Sequence, residues 1–123
     1  MNKNLSSDFL LNEFGNPEKF HDDINISKYP FDYYLKALKR MKLIRRSEEI
    51  LGENVENGKI KCPCHLSIGQ EAIPVGVAQF LSSKDFVFGN HRSHGHYLSM
   101  TDNVHKLFAE TLGKKTGSSK GMG

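Results

Sequence analysis

Phe86-Val-Phe-Gly-Asn-His-Arg-Ser-His-Gly-His96 decides the fold class of this 123-residue chain. Phe86, Val87 and Phe88 form an aromatic and β-branched run that follows a turn composition, Ser82-Ser-Lys-Asp85, and the run reads as a short buried strand. A polar cluster begins where that strand ends. Ligands of open α/β sheets gather at strand ends, and His91 and Arg92 stand at this one.

The cluster has a counterpart upstream, Cys64-His-Leu-Ser-Ile-Gly-Gln-Glu-Ala72, and together the two segments hold four of the six histidines. Groups that are costly to bury are thus concentrated between apolar flanks, which calls for a compensating partner, foremost an anion. Arg92 offers a planar fork of donors suited to phosphate or carboxylate, and His91 a donor whose charge is adjustable near neutral pH. Local spacing alone favours the plainer readings, a salt bridge for Arg92, a core hydrogen bond for His91, a structural role for His65 and a helix-capping role for Glu71. Zinc is disfavoured: Cys62, Cys64, His65, His91, His94 and His96 are suitable ligands, but the C-x-C spacing is too short for a zinc knuckle and no second paired cluster follows. No metal site is assigned.

Helices surround this core. Phe31, Leu35, Leu38, Met41, Ile44, Leu51 and Val55 recur at three- and four-residue steps, interrupted at Glu48, between Pro30 and the stop signal Asn57-Gly58. They predict one long amphipathic helix, basic in its first half and acidic toward its end, against the sense of the helix dipole. Residues 70–81 predict a second helix with Ala72, Ile73, Val77, Phe80 and Leu81 on its apolar face and Pro74 in its first turn. Asp102 or Asn103 caps a further helix carrying Val104, Leu107, Phe108, Thr111 and Leu112, closed by Gly113. The glycine-rich, basic segment 114–123 is a loop whose backbone suits wrapping a phosphate, although it is not a Walker motif.

Composition bounds the rest. A 37% apolar, 25% charged chain of this length supports one domain with a modest core, residues 31–123, preceded by an irregular arm, residues 1–30. A net charge of +3, concentrated in the long helix without interleaved aromatic residues, does not indicate a nucleic-acid partner. No apolar run approaches the roughly 20 residues of a membrane span, and there is no signal-peptide layout. With Cys62 and Cys64 too close for a structural disulfide, a reducing, cytoplasmic location is expected.

Taken in order, Arg45-Arg-Ser-Glu-Glu49, His65-Leu-Ser-Ile-Gly-Gln-Glu-Ala72, Val75-Gly-Val77, His91-Arg-Ser-His-Gly-His96, Leu107-Phe-Ala-Glu110 and Ser119-Lys-Gly-Met-Gly123 resemble one family. It is the alpha subunit of the thiamine-diphosphate-dependent first component of 2-oxo acid dehydrogenase complexes, the pyruvate, branched-chain and acetoin group. The resemblance implies an α/β fold, the N-terminal part of a thiamine-diphosphate-binding doubly wound domain, mostly helical over this chain with one or two short parallel strands. It implies oxidative decarboxylation of a 2-oxo acid, or acetoin cleavage, with acyl transfer to a lipoyl group. His65 maps to an active-site histidine near the thiazolium and substrate, and His91 and Arg92 to residues contacting the cofactor diphosphate. His91 stands where pyruvate dehydrogenases commonly have tyrosine, and is more like bacterial acetoin-type members. The implied partners are a beta subunit, which supplies the glutamate that activates the cofactor, and a lipoyl-bearing acyltransferase component.

Magnesium is also implied, but its ligands in the family belong to a Gly-Asp-Gly…Asn motif beyond the position of Gly123. The chain alone is therefore expected to be inactive, to bind cofactor weakly, and to leave apolar helix faces without the sheet they expect. A non-catalytic homologue acting as a binding or assembly module is the alternative expectation.

Overall fold

In a computed structural model of the chain, the described residues are Glu18, Asp23 and residues 25–123. The chain divides into the units Met1–Pro30 and Phe31–Gly123. Most of the expected N-terminal arm lies outside the described residues.

Four helices make up the second unit: α1 (Phe31–Glu56), α2 (Ala72–Ala78), α3 (His94–Thr101) and α4 (Val104–Thr111). The long helix begins directly after Pro30 and ends at Asn57-Gly58, where Gly58 takes a left-handed φ of 68° that costs glycine little. Its charge reversal is offset within the helix, because Arg46 pairs with Glu49 at 3.0 Å and with Glu53 at 3.5 Å. On α4, Asn103 is the cap, its side chain accepting from the Lys106 N–H at 3.0 Å.

Helix α3 is the centre of the packing and lies against α1, α2 and α4. Gly95 permits the closest approach: an added Cβ there would come within 3.2 Å of the Pro74 ring. Ile44 and Leu51 from α1, Ile60, Val75 from α2, Leu98 from α3 and Leu107 from α4 form the buried core. Burying side chains of this size stabilises by about 1.5–3 kcal/mol each.

Three expectations need correction. No strand occurs among the described residues: 86–88 is extended without a partner, and Phe86 and Phe88 are 85% and 91% exposed. A strand needs a neighbouring ladder to satisfy its backbone, and none is available here. The second helix is shorter than 70–81 and buries Pro74 and Val75, leaving Ile73, Val77 and Phe80 exposed. Phe31 and Leu38 of α1 are likewise exposed. On α4 Leu107 is buried in the helical core, Val104 and Phe108 are half-buried, and Leu112 just beyond it is exposed. The observed class is therefore helical, and the His/Arg segment leads into a helix, α3, that periodicity did not signal.

Candidate functional site

The buried face of α1 carries a carboxylate. Glu48, fully buried, lies one turn from Ile44 and from Leu51 on the core stripe. Its oxygens accept from the Ser67 N–H at 3.2 Å, the Ser67 hydroxyl at 3.0 Å and the His94 ring Nδ1 at 3.1 Å. A carboxylate accepts only, so His94 donates through Nδ1 and its tautomer at that atom is set. The hub ties α1 to the 64–72 segment and to the start of α3. The signal in the sequence was the interruption at Glu48: a charge on an apolar stripe implies a buried partner.

A second carboxylate pins the same segment. Glu71 does not cap α2 with its side chain. It receives Arg45 as a two-pronged pair, Nε at 2.6 Å and an Nη at 3.0 Å, and the Gly69 N–H at 2.9 Å. The Arg45 hydrogen bond is the main cause that holds the Glu71 carboxyl at about 2, against the opposing effect of burial. Glu48 and Glu71 together fix the connector between α1 and α2, and with it the position of His65.

His65 meets His91 across the connector, with ring centroids 5.2 Å apart and planes inclined at 61°. Both are exposed side chains. They line a cavity of about 490 Å3 together with Arg92, His94, Tyr97 and Glu110, closed on one side by Cys62-Pro-Cys64. Arg92 has a left-handed φ of 63°, unusual for a side chain of this kind. Strained backbone of this sort tends to persist where surrounding structure imposes it, commonly at functional sites. The turn around it is tight: the Ser93 hydroxyl donates to the Asn90 carbonyl, and a Cβ at Gly89 would collide with the Ser93 side chain. Among the described residues Arg92 has no carboxylate partner, so the salt bridge open to it on spacing alone is not made.

The glycine-rich loop is wrapped around an anion, but that anion belongs to the chain. Glu110 accepts from the N–H groups of Ser119 at 2.7 Å, Gly121 at 3.0 Å and Gly123 at 2.8 Å. Gly117 allows the loop to lie against α4, because a Cβ there would come within 2.6 Å of the Glu110 Cα. The phosphate-wrapping character of the loop is visible in its glycines, but nothing local in the sequence marks Glu110 as its occupant. No group of three or more His, Cys, Asp or Glu side chains suited to a metal occurs among the described residues.

The structure thus brings together His65, His91 and Arg92, and adds His94, Tyr97 and Glu110. The wall they form is cationic or hydrogen-bonding on the His91-Arg92 side, with an unpaired guanidinium, and is competent to hold an oxyanion.

The model of the family described as Dehydrogenase E1 component matches residues 39–123. The chain is 41% identical over 98 residues to the pyruvate dehydrogenase E1 component subunit alpha of Rhizobium meliloti (strain 1021), covering 80% of this chain and 28% of that protein. It is 40% identical over 103 residues to the corresponding subunit of Rickettsia prowazekii (strain Madrid E), covering 82% and 32%. The mitochondrial subunit of Saccharomyces cerevisiae (strain ATCC 204508 / S288c) is 36% identical over 89 residues, covering 72% and 21%. The chain therefore spans less than a third of the length of these relatives. No solved structure matches. None of the described helices is long and apolar enough to cross a membrane. Because the family match covers well over half of the residues, the chain belongs to the dehydrogenase E1 component family.

Proposed function

We propose that the chain contributes the His65, His91 and Arg92 wall of a thiamine-diphosphate site in an alpha subunit that decarboxylates a 2-oxo acid. The observation that carries this reading is that Arg92, without a carboxylate partner among the described residues, lines one cavity with His91 and His65, whose rings are 5.2 Å apart. A diphosphate fits such a wall: it is a compact anion with oxygens for a forked donor and a ring N–H. The bound cofactor would supply the electron sink that makes loss of carbon dioxide feasible.

The residues of this chain would then bind and orient. Arg92 holds diphosphate oxygens and compensates their charge, and His91 donates a further hydrogen bond. His65 lies against His91, where it orients the 2-oxo acid or donates to its developing negative charge. Glu48 acts through His94 and Ser67 by tying together the segments that carry these residues. In the full assembly a beta subunit would complete the site, and the acyl fragment would pass to the lipoyl group of an acyltransferase. The doubly wound fold belongs to this same proposal, with the exposed 73–88 surface as the face on which a sheet would pack.

That surface also favours a second reading, an assembly module without catalysis: Ile73, Val77, Phe80, Phe86 and Phe88 are all exposed. Carbethoxylation of histidines separates the two. Thiamine diphosphate with magnesium is expected to slow modification of His65 and His91, whereas thiamine without its diphosphate does not. Equal modification rates with and without the cofactor would favour the assembly reading.

A further inference from the structure

Cys62 and Cys64 are free, half-buried thiols with sulfurs 3.6 Å apart, and both line the cavity that holds His65 and His91. Pro63 between them fixes one backbone dihedral and limits the ways the pair can separate. The Cys62 sulfur also reaches the Thr111 carbonyl at 3.5 Å, so its S–H has an acceptor at the end of α4. Two sulfurs in contact need to close by only about 1.5 Å to reach disulfide length. The C-x-C spacing that makes a poor structural disulfide makes an easily reduced one, because strain raises the reduction potential.

We propose that Cys62 and Cys64 form a reversible redox pair, oxidised by a hydroperoxide to an intraloop disulfide that displaces His65 from His91. In the first step the Cys62 sulfur attacks a peroxide oxygen, the O–O bond breaks, and the departing hydroxide takes up a proton to leave as water. Cys62 is then a sulfenic acid. In the second step the Cys64 sulfur attacks the Cys62 sulfur, the S–O bond breaks, and the oxygen leaves as water carrying the Cys64 proton. Two thiols are oxidised by two electrons and one peroxide is reduced to two waters. Burial, and then its contact with Cys62, push the Cys64 thiol up to about 11, so Cys64 must give up its proton as it attacks, and the 3.6 Å sulfur contact, not thiolate character, assigns it the second role. His65 follows Cys64 directly in the chain, so closing the sulfurs moves the backbone that carries it. This proposal stands independently of the cofactor reading.

The test oxidises the chain with hydrogen peroxide, blocks remaining thiols with iodoacetamide, and weighs the peptide containing residues 62–64. The expected result is loss of the mass of two hydrogens without alkylation, restored by dithiothreitol. In Cys64→Ser the Cys62 sulfenic acid should be trapped by dimedone instead. Bridge formation should be faster in native buffer than in guanidinium chloride, since the fold holds the sulfurs together, and oxidation should shift the ring resonances of His65 and His91 but not of His105. Full alkylation after peroxide, disulfides only between chains, equal rates in denaturant, or unchanged His65 and His91 resonances would each overturn it.

Discussion

Glu48 on α1 and His94 at the start of α3 are joined by a 3.1 Å hydrogen bond inside the core, with Glu48 wholly shielded from solvent. This contact joins the long helix to the segment that carries His91 and Arg92, and the same carboxylate holds Ser67, two residues beyond His65. One buried group therefore ties the segment that carries His65 to the segment that carries His91 and Arg92.

Removing that carboxylate is expected to be the most damaging single change in the chain. Glu48→Ala leaves the Ser67 N–H, the Ser67 hydroxyl and His94 Nδ1 without their acceptor, at a cost of about 3–5 kcal/mol. Glu48→Gln keeps one carbonyl acceptor and should lose less. Urea denaturation of the two variants against the parent measures both; equal midpoints for all three would refute the role.

The Arg45–Glu71 pair gives a pH dependence. The Glu71 carboxyl is held at about 2, below its ordinary 4.5, so its contribution is fully present above 4.5 and is lost as pH falls toward 2. Glu71→Gln should cost about 1–3 kcal/mol near neutrality. It should also flatten the acid limb of stability against pH. A variant that keeps the parent's acid limb would show that this pair does not shape it.

Glu110 should act on the glycine-rich loop rather than on global stability. The N–H groups of Gly121, Gly123 and Ser119 hold its carboxyl below the ordinary range, Gly121 being the largest cause, with burial opposing. Glu110→Ala is expected to abolish hydrogen-exchange protection at the amides of Ser119, Gly121 and Gly123. Acidification through the depressed value should do the same in the parent. Retained protection in the variant would mean that the loop holds itself.

Arg92 exchanges local strain for charge. With its left-handed φ, Arg92→Gly should be more stable than Arg92→Ala by about 1 kcal/mol, because glycine alone adopts that conformation freely. Neither variant should hold a diphosphate. Thermal melts provide the comparison, and an alanine variant at least as stable as the glycine one would argue against strain at this position.

The exposed aromatic residues of 86–88 should drive self-association. Phe86→Ser with Phe88→Ser is expected to reduce light scattering on concentration and leave helix content unchanged, since neither side chain enters the core. Undiminished scattering would locate the association elsewhere.

Much of this architecture was legible in the sequence. The long helix and the Asn103-capped helix follow from local signals, a sustained three-to-four period and a capping residue, whereas a common site for His65 and His91 was implied only by the family resemblance. What periodicity did not supply is long-range. Helix α3 is read from a His-Gly-His-Tyr run with little amphipathic character, and its formation depends on packing against α1, α2 and α4. The run 86–88 has strand composition but no neighbouring strand, so composition alone misled. Glu110 lies on an ordinary helix face, and only folding of the glycine-rich loop reveals its carboxylate as the bound anion.

The central claim is that Arg92, with His91 and His65, forms a diphosphate-binding wall. The direct measurement is an NMR titration of the chain with thiamine diphosphate and magnesium, beside a matched titration with thiamine, for the parent and for Arg92→Ala. Weak, saturable shifts are expected at His65, His91 and Arg92 with the diphosphate only, with a Kd on the order of 1 mM, about −4 kcal/mol. These shifts should be lost in Arg92→Ala. Equal shifts with thiamine, or a diphosphate response that survives Arg92→Ala unchanged, would contradict it.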